Sequence, residues 1–315
     1  MYLSERAPAK LNLSLLVGPG LEHGYHELFT VFVPVDVYDQ LEFDLEARPP
    51  GRRPAGRIGD LQVQCAGVPG HSNLAGQALR ALEHATGWTI EGTIAIEKGI
   101  PIGAGLGGGS SDAAAALRAG AAALAEAGSP ALDAAALRAI ARTVGADVAF
   151  FLTARPVMAR GIGDVLQPIQ LPDLYVVLVF LNEHLYTSHV YGAFDSMGPS
   201  EDSGAFEQRA TEAEALWKGC ARDWEAGLIP EGEMVARVAA LLQNDLERAS
   251  LRLLPLLGEA RRVMMAEGAP VVLMSGSGST LFAVCRSADE ADDLARRLAA
   301  RGLSARPTRT GAGAG

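Results

Sequence analysis

The chain has 315 residues, enough for one large domain or two ordinary ones, each with its own core. Its 27 basic against 37 acidic residues leave a formal charge of −10, which argues against a nucleic-acid partner, because phosphate backbones reward lysine and arginine. Apolar residues make up 49% and aromatics only 6%, so the core must be aliphatic and alanine-rich.

Cys65, Cys220 and Cys285 lie far apart without C-x-x-C spacing, which predicts reduced thiols and neither a disulfide nor a zinc framework. The start, MYLSERAPAK, has no apolar signal core. The longest apolar run, Leu174 to Leu181, is far short of the roughly 20 residues that span a bilayer. A soluble cytoplasmic protein with no membrane partner is the expectation.

In chain order, the first hundred residues read mostly as strands. Leu11, Leu13 and Leu15 alternate with polar neighbours, the period of a half-buried strand. Further strands are expected at Thr30–Val37, Gln40–Leu45, Leu61–Cys65 and Thr93–Glu97, with a Pro/Gly/Arg turn or flexible loop at Arg48–Gly59. A helix is predicted from Ser72 or Asn73 to about Thr86, capped by Asn73 and ended by Gly87. A second runs from Ala113 to Ala127, before Gly128 and Pro130, and a third from about Asp133 to Thr143, ending at Gly145. Near Arg155 the pattern returns to strands, and a domain boundary is placed there. Asp195–Glu233 reads as helices with loops. Val271–Met274, Thr280–Cys285, a helix from Ser287 to Arg301 and Leu303–Pro307 form a strand–strand–helix–strand series, with capping-box spacing at Ser287 and Glu290 and a stop at Gly302.

The segment from Gly99 to Asp112 carries five glycines in the seven positions 103–109 and opens into the alanine-rich helix. Such a backbone comes close to a ligand and turns its amides inward, and the helix start favours a polyphosphate. Ser110 and Ser111 add hydroxyls for a phosphate or its metal ion. A plain flexible loop with a capped helix would need fewer glycines. Gly103, Gly105 and Gly108 match G-x-G-x-x-G, yet the acidic residue of a dinucleotide site should follow a second strand about 20 positions on, where this chain is still helical. The Lys-Ser/Thr of a Walker A loop is absent, so a nucleoside triphosphate on another scaffold is the better reading.

Three further islands stand out. In Ala7–Leu15, Lys10 and Asn12 share a strand face and can point into a site. His23-Gly24-Tyr25-His26-Glu27 makes a poor metal site but a plausible recognition loop, with tyrosine to stack on a base and histidine to donate and accept. Met274–Thr280 reads equally as a hairpin turn or as a backbone lip over phosphate. Asp147, ahead of the apolar run Val148–Leu152, is either a helix N-cap or a buried carboxylate beside a cation.

In order along most of the chain, PAKLNLSL, GYHEL, SNLAGQAL, PIGAGLGGGSSDAA, GADVAFF, GIGDVL, TSHVY, QNDLE and MSGSGST resemble the GHMP small-molecule kinases. PAKLNL followed by GYH narrows the likeness to the branch acting on a cytidine-diphosphate sugar alcohol in the non-mevalonate route to isoprenoid precursors. The resemblance implies an α+β, two-domain fold. Residues 1–155 would form the ATP-binding β/α domain with the phosphate loop, and 156–315 a ferredoxin-like α/β domain ending in a disordered Gly-rich tail. It implies transfer of the γ-phosphate of ATP, with Mg²⁺, to the acceptor's 2-hydroxyl. By motif position, Asp147 resembles the catalytic carboxylate and Lys10 its cationic partner, with Asn12 positioning the substrate. Tyr25 and His26 resemble the readers of the cytosine, with Tyr191 stacking on its other face. Asn73 and Lys98 match positions near the nucleoside of ATP. Pro101, Ile102, Gly103, Ala104, Gly105, Leu106, Gly107, Gly108, Gly109, Ser110 and Ser111 match the phosphate loop.

The motifs assign neither the side chains that hold the metal nor an oligomeric state. The chain departs from the pattern at His23-Gly24, where an acid is common, and at Val179–His184, which lacks an expected Pro-Gly. Two alternatives are another GHMP kinase with a homoserine-like acceptor and a non-catalytic nucleotide-binding regulator. Lys10 and Asp147 together count against the regulator, which needs no proton acceptor.

Overall fold

The structure is a computed structural model, in which residues 1–21, 24–51, 61–198 and 202–311 are described. Most of the Arg48–Gly59 turn, His23 and the last residues of the Gly-rich tail lie outside them.

Two long antiparallel strands, β1 (Tyr2–Gly20) and β2 (His26–Arg48), organise the first half. The two strands expected at Thr30–Val37 and Gln40–Leu45 are one. Between the pairs Pro8↔Tyr38 and Ala9↔Val35, β2 carries extra residues in a bulge, which the ladder absorbs without ending. A second register shift, between Asn12 and Ser14, breaks the expected alternation. Leu11, Leu13 and Leu16 enter one core while Leu15 turns into another. The face expected to be wet is not: Lys10, Asn12 and Ser14 are buried as well.

β3 (Leu61–Cys65) and β4 (Thr89–Glu97) extend this sheet, with α1 (Leu74–Thr86) between them. Asn73 caps α1 by accepting from the Ala75 amide, and Gly87 ends it in a left-handed conformation. α2 (Gly108–Glu126) packs against α1, where a Cβ on Gly120 would fall 2.5 Å from Leu79. This close crossing explains the run of small residues. α3 (Ala134–Val144), capped by Asp133, leads to the single turn α4 (Val148–Phe151).

β5 (Val157–Arg160) and β6 (Val165–Pro168) add to the first sheet through β2, although they follow residue 155. β7 (Tyr175–Phe180) starts the second sheet. It is followed by α5 (Thr187–Asp195), α6 (Ser203–Glu225), α7 (Glu231–Ala239), the short β8 (Gln243–Asn244) that returns to β1, α8 (Glu247–Leu253) and α9 (Leu256–Ala266). Then come β9 (Val272–Met274), β10 (Leu281–Cys285), α10 (Ala288–Ala300) and β11 (Ser304–Arg309). The sheet order β11-β7-β10-β9, all antiparallel, makes a βαββαβ unit of ferredoxin-like type. Ser287 accepts from the Glu290 amide, and Gly302 sits just past α10 with φ +84°.

One core joins the halves. Leu11, Leu13 and Phe29 pack with Ile100, Ala104 and Leu106 of the Gly-rich segment and with Leu178, Phe282 and Trp217. The cysteines are free, and among the described residues no helix is long and apolar enough to cross a membrane.

Candidate active site

Between the halves lies a cavity of about 950 Å³, lined by both Lys10 and Asp147, by the Gly-rich segment, and by residues of α5 and the β9–β10 connection. Its floor is the stretch between β4 and α2. The helix starts at Gly108, five residues earlier than its composition suggests, so the amides at 108–110 belong to an unpaired first turn. Gly105 and Gly107 have φ +76° and +71°. A Cβ on Gly105 would lie 2.2 Å from the Ser275 carbonyl oxygen, and one on Gly107 2.8 Å from the Phe151 ring. Neither position has room for a side chain, and the backbone conformation disfavours one.

The β9–β10 connection joins two antiparallel strands. It is a hairpin, and it also rests on the loop: Ser275 Oγ donates to the Gly105 carbonyl at 3.0 Å, and the Thr280 amide to Ala104 at 3.2 Å. Asn244 holds it from behind, donating to the carbonyls of Met274 and Gly276 at 2.8 Å each.

At the α2 end, Lys98 Nζ stands 2.5 Å from Asp39 Oδ2 and 2.8 Å from Asp112 Oδ2. Asp39 Oδ1 accepts the Gly99 and Ile100 amides, each at 2.8 Å, and so anchors the start of the loop. Burial would depress the Lys98 ammonium, but the Asp112 and Asp39 carboxylates outweigh it and raise its pKa. Burial pushes the Asp112 carboxyl up to about 7; Lys98 opposes that shift and Asp39 adds to it. Asp112 Oδ1 and Ser111 Oγ are buried with no hydrogen-bond partner among the described residues. Asn73 lines the cavity, with its side-chain oxygen engaged in the α1 cap.

In the centre, Lys10 Nζ is 3.9 Å from Asp147 Oδ2 and donates to Asn12 Oδ1. The Lys10 amide donates to Leu106 at 2.9 Å, which ties β1 to the loop. Burial lowers the Lys10 pKa and the Asp147 charge only partly restores it. Asp147 stands at the N-cap position of α4 but makes no capping hydrogen bond, which removes the structural alternative for it. Its carboxylate is about a third exposed (32%) and faces the cavity, so it is not the buried carboxylate of the sequence reading.

At the far end, the exposed Tyr25 and the buried His26 line the cavity with Tyr191 of α5. His26 Nδ1 is 2.9 Å from the Gly18 carbonyl, and Nε2 is 3.3 Å from Asp195 Oδ1. The Tyr191 ring lies against His26, centroids 5.1 Å apart, which leaves no room for a base between them. Burial and then the Asp147 charge raise the Tyr191 hydroxyl pKa.

Lys10, Asn12, Tyr25, His26, Asn73, Lys98, Asp147 and Tyr191 therefore line one cavity together with residues 101–110. Ser111 alone of the loop residues is turned away from the lining. Thr30, Asp39, Asp112, His184, Asn244 and Asp195 carried no assignment. Asp39 gave no readable signal, because it fell between two expected strands among other acids. His184 was not readable: it lies against Gly103 from the segment that departs from the family pattern.

Residues 73–155 match the family described as GHMP kinases N terminal domain, and residues 231–303 the one described as GHMP kinases C terminal. The chain is 38% identical over 301 residues to a 4-diphosphocytidyl-2-C-methyl-D-erythritol kinase of Caulobacter vibrioides, covering 95% of each chain. Its structure is similar to the crystal structure of a 4-(cytidine 5'-diphospho)-2C-methyl-D-erythritol kinase, with TM-score 0.70 and 36% identity over 99% of this chain and 100% of that one. Homoserine kinase from Cytophaga hutchinsonii shares the fold alone, with TM-score 0.64 and 17% identity over 98% of this chain and 94% of that one.

Proposed function

The chain belongs to the GHMP kinase family, among the 4-diphosphocytidyl-2-C-methyl-D-erythritol kinases, and from that membership we propose that it transfers the γ-phosphoryl group of ATP to the 2-hydroxyl of 4-diphosphocytidyl-2-C-methyl-D-erythritol. The observation that carries this reading is the Lys10–Asp147 pair, which joins the phosphate loop on one side to the Tyr25, His26 and Tyr191 end on the other. ATP lies with its phosphates over residues 101–111 and its nucleoside towards Asn73 and Lys98. The cytidine lies against Tyr25 on one side and the His26–Tyr191 ring pair on the other.

The acceptor oxygen attacks the γ-phosphorus, forming one P–O bond, while the bond to the β-phosphate oxygen breaks and ADP leaves with that electron pair. The hydroxyl proton passes to Asp147. In such a transfer, positioning and charge stabilisation carry most of the effect, and the desolvated Lys10 ammonium supplies a cation where charge develops.

Mg²⁺ would accompany the ATP. Among the described residues no cluster of three or more His, Cys, Asp or Glu side chains could hold a metal by itself. Asp112, which lines the cavity and has one partnerless oxygen, would suit a hard cation that keeps most of its ligands from phosphate and water. Bound there, Mg²⁺ would neutralise phosphate charge. Residues 1–155 form the ATP-binding part and 156–315 contribute Tyr191 and the lip. The reading is that of a cytoplasmic enzyme of isoprenoid precursor synthesis with small-molecule partners only.

The test is to incubate the protein with ATP, Mg²⁺ and a panel of acceptors and follow ADP. Turnover with homoserine or mevalonate but not with the cytidine-diphosphate sugar alcohol would sink this reading. Asp147→Asn should lower kcat by about 10²–10⁴-fold and leave the ATP Kd within about twofold.

A further inference from the structure

We propose that Thr30 is a positioning residue that fixes the amide of Asn12 and, through it, the ammonium of Lys10; the inference rests on the kinase reading above. Thr30 stands on β2 opposite Leu15, beside the register shift between Asn12 and Ser14. Its hydroxyl has one proton, and that proton is committed: Oγ1 is 2.6 Å from the Ser14 carbonyl, which can only accept.

Thr30 Oγ1 can therefore meet Asn12 only as an acceptor, and the group facing it at 2.8 Å is the Asn12 NH₂. The Asn12 carbonyl then points at Lys10 Nζ, which can only donate. The opposite amide orientation would set NH₂ against an ammonium and a carbonyl against a hydroxyl oxygen with no proton to give. The chain has a fixed polarity. Its far end is pinned across the junction, because Ser14 Oγ donates to the Leu241 carbonyl and accepts from Trp217 Nε1, both at 2.9 Å.

All four residues, Lys10, Asn12, Ser14 and Thr30, are at least 96% buried, so a lost partner leaves a largely desolvated polar group, although Lys10, Asn12 and Thr30 border the cavity. Asp147, at 3.9 Å, is beyond hydrogen-bond reach of the ammonium. Asn12 thus serves Lys10 with its carbonyl and Thr30 with one N–H. At most one N–H remains for a substrate, so its first duty is to hold the cation.

The experiment is Thr30→Val, which keeps the shape and removes both hydrogen bonds. kcat should fall roughly 10- to 100-fold, with KM for ATP and for the acceptor each within about twofold. The basic limb of the kcat–pH profile should move to lower pH, because an ammonium that loses an acceptor releases its proton more readily. Thr30→Ser should restore both. If the valine variant does not fold, as judged by circular dichroism, Thr30→Ala is measured in the same way. Wild-type kcat with an unmoved pH limb, or a loss that serine does not restore, would overturn the inference. Lys10→Met separates the two readings: an active methionine variant removes the role of Lys10 itself, whereas an inactive one beside a normal Thr30→Val removes only that of Thr30.

Discussion

Asp112 shows how a single side chain is set by its surroundings. Burial and the neighbouring Asp39 charge make its ionised form costly, and Lys98, shared between the two acids, does not fully compensate. Its folded pKa, about 7, lies above the ordinary aspartate value of 3.8. Between those values the folded chain holds a proton that the unfolded chain has released. The stability this group contributes is therefore complete below about pH 4 and is lost as pH rises through 7. Asp112→Asn cannot titrate, so the variant should gain on the wild type from pH 5 to about pH 7 and level off above it. Urea midpoints without ATP across that range test this, and parallel curves would contradict it.

At the scale of elements, the phosphate loop is held in place by the strands around it. Asp39 on β2 anchors its start, Lys10 on β1 its middle, and the β9–β10 connection lies against Gly105. Gly105→Ala meets a positive φ and, at 2.2 Å, the Ser275 carbonyl, so strain alone should cost about 1–3 kcal/mol. The lip should also lift from the loop and weaken ATP binding. Gly109→Ala is the contrast. Its Cβ would sit 3.4 Å from Leu74 with no unusual φ, and the substitution should be neutral or stabilising by roughly 0.4–1 kcal/mol. Thermal melts and ATP titrations of the pair separate a conformational requirement from mere loop flexibility.

At the scale of the molecule, the two sheets do not divide the chain cleanly. β5, β6 and β8 come from beyond residue 155 and pair in the first sheet, and one aliphatic core runs under both. The cavity opens at that junction, so a ligand binding there stabilises both halves together. MgATP at 100 times its Kd should add about 2.7 kcal/mol and raise Tm by several degrees in one cooperative transition. Calorimetry that resolved two transitions, with only one shifted by MgATP, would show that the halves respond separately.

Much of this was legible in the sequence where the cause is local. Asn73 and Ser287 cap the helices they precede, Gly87 and Gly302 stop theirs, and the glycines at 103–109 announce a backbone built for a ligand. These depend on neighbours a few residues away. Motif order likewise led to the family, because Lys10, Tyr25 and Asp147 sit in recognisable islands. The sequence could not show that Asp147 makes no cap bond, that Lys98 is divided between Asp39 and Asp112, or that the polar face of β1 is buried around Thr30. Each of these depends on which distant strand comes to lie alongside, and a one-residue bulge was enough to send Leu13 and Leu15 into different cores. Periodicity carries no information about such register shifts; only the packing of the two halves decided them.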